Sequence, residues 1–145
     1  MSVGRICTRE VHLASAQESV SDAAERMAMK NVGCLVVLSD SKRPIGILTD
    51  RDITVKVTAK RLDSNLTTVS EVMTSHPKVI QEVTPIEEAV ALMRFGAIRR
   101  LPVVDNSGYL VGLVCLDDVL ELLFEEVSDV RQLLQLQSTP QRKML

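Results

Sequence analysis

The chain has 145 residues, 46% of them hydrophobic and 25% charged, with a formal net charge of −2. That length suits one compact domain or two small halves sharing a core; the apolar fraction excludes a disordered chain, and the near-neutral balance lacks the basic excess of a general nucleic-acid binder. The longest purely apolar stretch, Cys34 to Leu38, is far shorter than the roughly 20 residues of a membrane-spanning helix, and Met1 to Glu10 holds no apolar signal segment. A soluble, cytoplasmic protein is expected. Phe95, Tyr109 and Phe124 are the only aromatic residues, so base stacking on aromatic platforms is not available. Cys7, Cys34 and Cys115 form no C-x-x-C pair, and neither His12 nor His76 lies at ligand spacing from them. Buried free thiols and no metal site are expected.

An internal repeat orders the elements. Ala23-Ala-Glu-Arg-Met27 recurs as Ala89-Val-Ala-Leu-Met93, and Gly46-Ile-Leu-Thr-Asp-Arg-Asp52 recurs as Gly112-Leu-Val-Cys-Leu-Asp-Asp118, both 66 positions later (89 − 23 and 112 − 46). The first unit, 3–60, opens with a short strand. The spacing of Val20, Ala23, Ala24 and Met27 then predicts a helix over Ser19 to Lys30, opened by Ser19 or Ser21. Cys34 to Leu38 predicts a buried strand, Ser39 to Pro44 a turn, Ile45 to Leu48 a second strand, and Thr49-Asp-Arg-Asp52 the start of a closing helix. A linker, 61–68, leads to the second unit, 69–125. There Thr84 is the expected N-cap of a helix over Pro85 to Phe95, with Pro85 at the first helical position and Glu87 at the third. Leu101 to Val104 and Tyr109 to Val114 predict strands around the Asp105-Asn-Ser-Gly108 turn, and Asp117-Asp118 opens the last helix. An extension, 126–137, and a flexible tail, 138–145, follow. The expected class is α/β (α+β), each unit running strand-helix-strand-strand-helix. A unit of about sixty residues is marginal alone, so the copies should bury their open faces as a pseudo-twofold pair with ligand sites in the cleft between them.

The two units resemble paired cystathionine-β-synthase (CBS) motifs, the Bateman module. The resemblance rests on Gly46-Ile-Leu-Thr49-Asp-Arg-Asp52 and Gly112-Leu-Val-Cys115-Leu-Asp-Asp118, supported by Ile98-Arg-Arg-Leu-Pro-Val-Val-Asp105, Val72-Met-Thr74 and Asn31-Val-Gly-Cys-Leu-Val-Val37. It implies a regulatory, non-catalytic module for an adenosine-containing ligand: AMP, ADP or ATP foremost, with S-adenosylmethionine or NAD as alternatives. It further implies Asp52 and Asp118 on the ribose, Thr49, Arg51, Arg99, Arg100 and Cys115 on phosphate, and Thr84, Ala89, Ile98, Ala23 and Val32 around the adenine. The chemistry suits these roles. Carboxylates accept from vicinal hydroxyls, helix-start N–H groups and partial positive charge favour phosphate, and guanidinium groups add forked hydrogen bonds.

This sequence departs from the pattern in three places. Cys115 replaces Ser or Thr, Gly33-Cys34 stands where the second unit has Arg99-Arg100, and Glu18 replaces Thr84. Two related sites of unequal affinity are therefore expected.

Plainer uses compete. Asp52, Asp118 and Thr49 sit where helix caps sit. Met27, Met29, Met73 and Met93 suit core filling, His12 and His76 solvated loops, Lys56, Lys60 and Arg61 a solvated linker, and Glu87-Glu88 and Glu125-Glu126 exposed helix faces. No nucleophile–base pattern appears. Leu120, Leu123, Val127, Val130 and Leu134 fall at alternating three and four spacing, widened by Leu122, Leu133 and Leu136. That stripe suits packing on its own module, a homodimer or a protein partner. The functional readings are a ligand sensor that signals through a homodimer or partner, an assembly adaptor with empty clefts, and an enzyme subunit or nucleic-acid regulator using Lys56, Lys60 and Arg61.

Overall fold

The computed structural model describes residues 1–144, with side chains to Gln137. The side chains of the expected tail, 138–145, lie outside the described residues. A 3-10 turn, Val3–Arg5, precedes β1 (Leu13–Ala14), α1 (Val20–Lys30), β2 (Cys34–Leu38), β3 (Pro44–Thr49) and α2 (Asp50–Ile53), which runs on as a π-helical turn, Thr54–Thr58. Then come α3 (Val69–Val72), β4 (Thr74–Ser75), β5 (Ile80–Gln81), α4 (Ile86–Gly96), β6 (Arg100–Val104), β7 (Leu110–Cys115) and α5 (Leu116–Met144). The expected mixed α/β pair is present, strand-helix-strand-strand-helix twice.

Local chemistry sets the helix ends. Ser19 Oγ accepts the Asp22 N–H at 3.1 Å and caps α1. At the repeat-equivalent position Pro85, not Thr84, is the N-cap of α4, with φ −62° and ψ 146° and no side-chain cap. Pro85 lacks only an N–H that the helix would not use there. Thr84 Oγ1 instead accepts the Gln81 N–H at 3.2 Å in the turn before α4, so the expected Thr84 cap is corrected. Both helices end on a left-handed residue, Asn31 at φ 53° and Ala97 at φ 51°.

One sheet has the order β1-β2-β3-β4 and the other β5-β6-β7. In each, a short strand runs parallel to the first buried strand, which pairs antiparallel with the second. The registers repeat as well: Cys34 lies opposite Thr49 and Arg100 opposite Cys115, and a bulge follows Val37 and Val103 alike.

The packing crosses the repeat boundary. Val69 and Val72, which open the second unit, are buried in the first core with Val20, Leu35, Leu48 and Val57. Val3, which opens the first, is fully buried in the second core with Ala89, Leu101 and Val114. Backbone bonds fix this exchange. The Val3 and Gly4 N–H groups donate to Thr84 and Glu82, Thr8 and Leu113 bond reciprocally, and Val69 and Ser70 donate to Glu18 and Ala16. The opening segment of each repeat thus completes the other half, which holds the halves together and builds the cleft between them.

Candidate functional site

A cavity of about 360 Å³ opens between the halves. The first half contributes Ile47 and Thr49 from the end of β3 and Asp50 and Arg51 from the start of α2. Thr74 of β4 and His76, Pro77 and Lys78 of the following loop form one wall, and Gly96 to Arg100, from the end of α4 to the start of β6, form the other. The exchanged segment brings Thr74 in, because β4 pairs with β3 with Ile47 opposite Thr74.

Four of the lining side chains are cationic at neutral pH: Arg51, Lys78, Arg99 and Arg100. Their repeat equivalents, 66 positions away, are Asp117, His12, Gly33 and Cys34, none a fixed cation. A smaller cavity of about 150 Å³, lined by Cys115, Leu116 and Asp117, shares the same two arginines. Gly33 makes room for the charged groups. A Cβ there would lie 3.1 Å from Asp50 Oδ2 and 3.6 Å from Arg100 Nη2. The crowding is with Asp50 of the same half, while the Arg100 guanidinium from the opposite half lies at ordinary contact distance.

The start of α2 differs from expectation. The Asp50 N–H donates to the Gly33 carbonyl at 3.0 Å, the Arg51 N–H to Asp50 Oδ1 at 2.8 Å, and the Asp52 N–H to Thr49 Oγ1 at 3.1 Å. These donors are spent within the protein, so phosphate recognition would rest on side chains. Thr49 keeps its hydroxyl proton for donation while its oxygen caps the helix.

Both motif carboxylates cap. Asp52 Oδ2 accepts the Thr49 N–H at 3.0 Å, and its Oδ1 lies 3.1 Å from Lys56 Nζ, which also donates to the Val72 carbonyl at 2.9 Å. Lys56 is thus tied to the exchanged segment rather than solvated. Asp118 Oδ2 accepts the Cys115 N–H at 2.7 Å, and Oδ1 has no hydrogen bond among the described residues. Burial, helped by neighbouring Asp117 and Glu121, raises the Asp118 pKa. Burial and Asp118 push the Cys115 thiol up to about 11. Burial also raises Cys34, against the lowering pull of Arg100. The three thiols are free and half-buried rather than fully buried.

The structure thus brings together Thr49, Arg51, Ile98, Arg99 and Arg100. Asp52, Asp118 and Cys115 stand beside the cleft, outside the lining of the larger cavity. Ala23 and Ala89 are fully buried in the two cores, and Val32 packs against the first. Thr84 lies in the turn before α4. Glu18 is held by Arg26 in a two-point ion pair, with contacts of 2.9 and 3.1 Å. Sequence reasoning missed Asp50, Ala97 and the His76-Pro77-Lys78 wall. For the wall, the signal available was that His76, Pro77 and Lys78 follow the Val72-Met-Thr74 segment after one residue, Ser75. No group of residues suited to holding a metal ion occurs among those described, and no described helix is long and apolar enough to cross a membrane.

A family model described as the CBS domain matches residues 3–58 and 69–125. The chain belongs to the CBS domain family. The uncharacterized protein MK0525 of Methanopyrus kandleri is 33% identical over 122 residues, 84% of this chain and 62% of that protein, so this CBS pair spans about three fifths of that relative's length. The CBS domain pair of MJ0100, solved with 5′-methylthioadenosine and S-adenosyl-L-methionine, is similar with a TM-score of 0.78 at 26% identity, covering 87% of this chain and 98% of that one. CBSX2, solved in complex with AMP, is similar with a TM-score of 0.73 at 29% identity, covering 86% and 96%.

Proposed function

We propose that this CBS pair is a regulatory sensor that binds one phosphate-bearing adenine nucleotide per chain, AMP, ADP or ATP, in the cavity between its halves. The observation that carries the reading is the convergence of Arg51, Lys78, Arg99 and Arg100 on one cleft whose repeat equivalents are Asp117, His12, Gly33 and Cys34. The size is suitable, since small-molecule sites span roughly 300 to 1,000 Å³. Arg99 and Arg100 grip phosphate through charge-assisted, forked hydrogen bonds, and the Thr49 hydroxyl adds a donor. Ile47, Pro77, Ala97 and Ile98 supply the apolar wall for adenine. Asp52, beside the cavity and paired with Lys56 at 3.1 Å, takes the ribose only once Lys56 yields and the carboxylate turns toward the cleft. The AMP complex of CBSX2 and the adenosyl complexes of MJ0100 support the ligand class. On this reading Cys115 borders the smaller cavity, where Asp117 and the lack of a Thr hydroxyl lower the affinity for nucleotides.

Isothermal titration calorimetry with AMP, ADP, ATP, S-adenosylmethionine, NAD and adenosine tests it. Saturable binding of an adenine nucleotide near one per chain is expected. An Arg99→Ala, Arg100→Ala double variant should lose at least ~10-fold in nucleotide affinity, since each charged hydrogen bond contributes about 1.5–3 kcal/mol. Adenosine affinity should change little. Absence of binding by the folded wild type would overturn the sensor reading in favour of an assembly module, which the exposed apolar face of α5 favours.

A further inference from the structure

α5 leaves the body after Val119 and Leu122, which are held in the second core. From Leu123 to Gln137 every residue is exposed, including Phe124 at 72%, Val127 at 67% and Leu134 at 61%. A bare helical segment of this length is marginal in water and draws its stability from an apolar face packed on something. The face presented is a heptad seam: Leu120, Val127 and Leu134 at one core position, Leu123 and Val130 at the other.

The charges flanking the seam identify what covers it. Glu126 precedes the core residue Val127, and Arg131 follows the core residue Val130. In a parallel, in-register pair of helices, a residue at the first of these flanking positions meets the residue five places further along the other helix. Glu126 then faces Arg131 of a second copy, and symmetry makes the contact twice. Glu121, Glu125 and Asp129 point away from the seam in this register. An antiparallel pair with the same overlap would set Glu126 against Leu133 and Arg131 against Phe124, leaving both charges unmatched. We infer that α5 is the dimerisation element of this chain, pairing with a second copy as a parallel, in-register two-stranded coiled coil locked by Glu126–Arg131 pairs.

Sedimentation of the full chain tests the dimer. A mass near twice 16.0 kDa is expected at micromolar concentration, falling to the monomer in a Val127→Asp, Val130→Asp variant whose circular dichroism still shows a folded body. Glu126→Arg and Arg131→Glu should each weaken self-association by about 10-fold, and a mixture of the two should form heterodimers in preference to either homodimer. Orientation is read from Leu123→Cys and Leu134→Cys, each oxidised alone beside a wild-type control. Parallel pairing cross-links both with their own copies, whereas antiparallel pairing opposes neither to itself. A wild-type monomer, a dimer indifferent to the Val127 and Val130 substitutions, or failure of either cysteine variant to cross-link would overturn the inference.

Discussion

Asp52 and Asp118 occupy the same place in the repeated motif and accept the same kind of backbone bond, yet their surroundings differ. Asp52 has Lys56 at 3.1 Å, while the residue equivalent to Lys56 in the second unit is Leu122. Without that cation, burial dominates and the Asp118 pKa lies above its usual 3.8. The sign for stability follows. The folded state binds this proton more tightly than the unfolded chain, so ionising Asp118 costs stability as pH rises from 3.8 through its raised folded value. Asp118→Asn keeps an oxygen for the Cys115 N–H and does not ionise. Its melting temperature relative to wild type should shift in the variant's favour as pH rises from 3.5 to about 7, and a flat difference would contradict this. Cys115 makes a parallel case. With its pKa pushed up to about 11 from 9.0, it should react with iodoacetamide at pH 7 roughly 10-fold more slowly than an unstructured thiol peptide, since the loss of thiolate outweighs the gain in nucleophilicity, as read by mass spectrometry.

At the scale of elements, the motif glycines acquire a reason. Gly46 on β3 lies beneath Met73, and Gly112 on β7 lies beneath Cys7. Met73 and Cys7 are themselves repeat equivalents, each from the segment that opens the opposite unit. A Cβ at Gly112 would come within 2.8 Å of Cys7 Sγ and 3.0 Å of the Thr8 carbonyl oxygen, and backbone cannot yield as a side chain can. Gly112→Ala should therefore destabilise the protein by about 1–3 kcal/mol in urea unfolding, comparable to overpacking a tight core. The sequence showed that these glycines recur, and the β-branched runs placed β2 and β6 within a residue. It did not show what lies over the glycines. Apolar Val3 and Val69 announce burial, but periodicity is silent on which copy buries them, because that choice is made by contacts distant along the chain.

On the molecular scale, the legible part of the candidate site was the part carried by the repeat and its departures. Thr49, Arg99 and Arg100 stand out through the resemblance to CBS motifs and Arg51 as a cation that compensates for Gly33-Cys34, and the structure gathers all four at one cleft. The His76-Pro77-Lys78 wall has no residue pattern of its own and reaches the cleft only because β4 pairs with β3. Ala23 and Ala89, expected beside the adenine, are fully buried in the two cores, and a recurring small residue marks tight packing as readily as contact with a ligand. Exchange of the opening segments also predicts where damage travels. Deleting residues 2–8 should abolish hydrogen-exchange protection across β5, α4, β6 and β7 while largely sparing α1, β2 and β3, and loss confined to β1 would contradict the exchange.

The same swap sets an order on biosynthesis. The strip around Val3 leaves the ribosome well before the surface that receives it, so it waits uncommitted while the first half gathers around Val69 and Val72. Closing so large a loop is slow compared with local pairing. The second half is then finished by residues made well before it, and a ribosome that stalls before β7 leaves them with nowhere to dock.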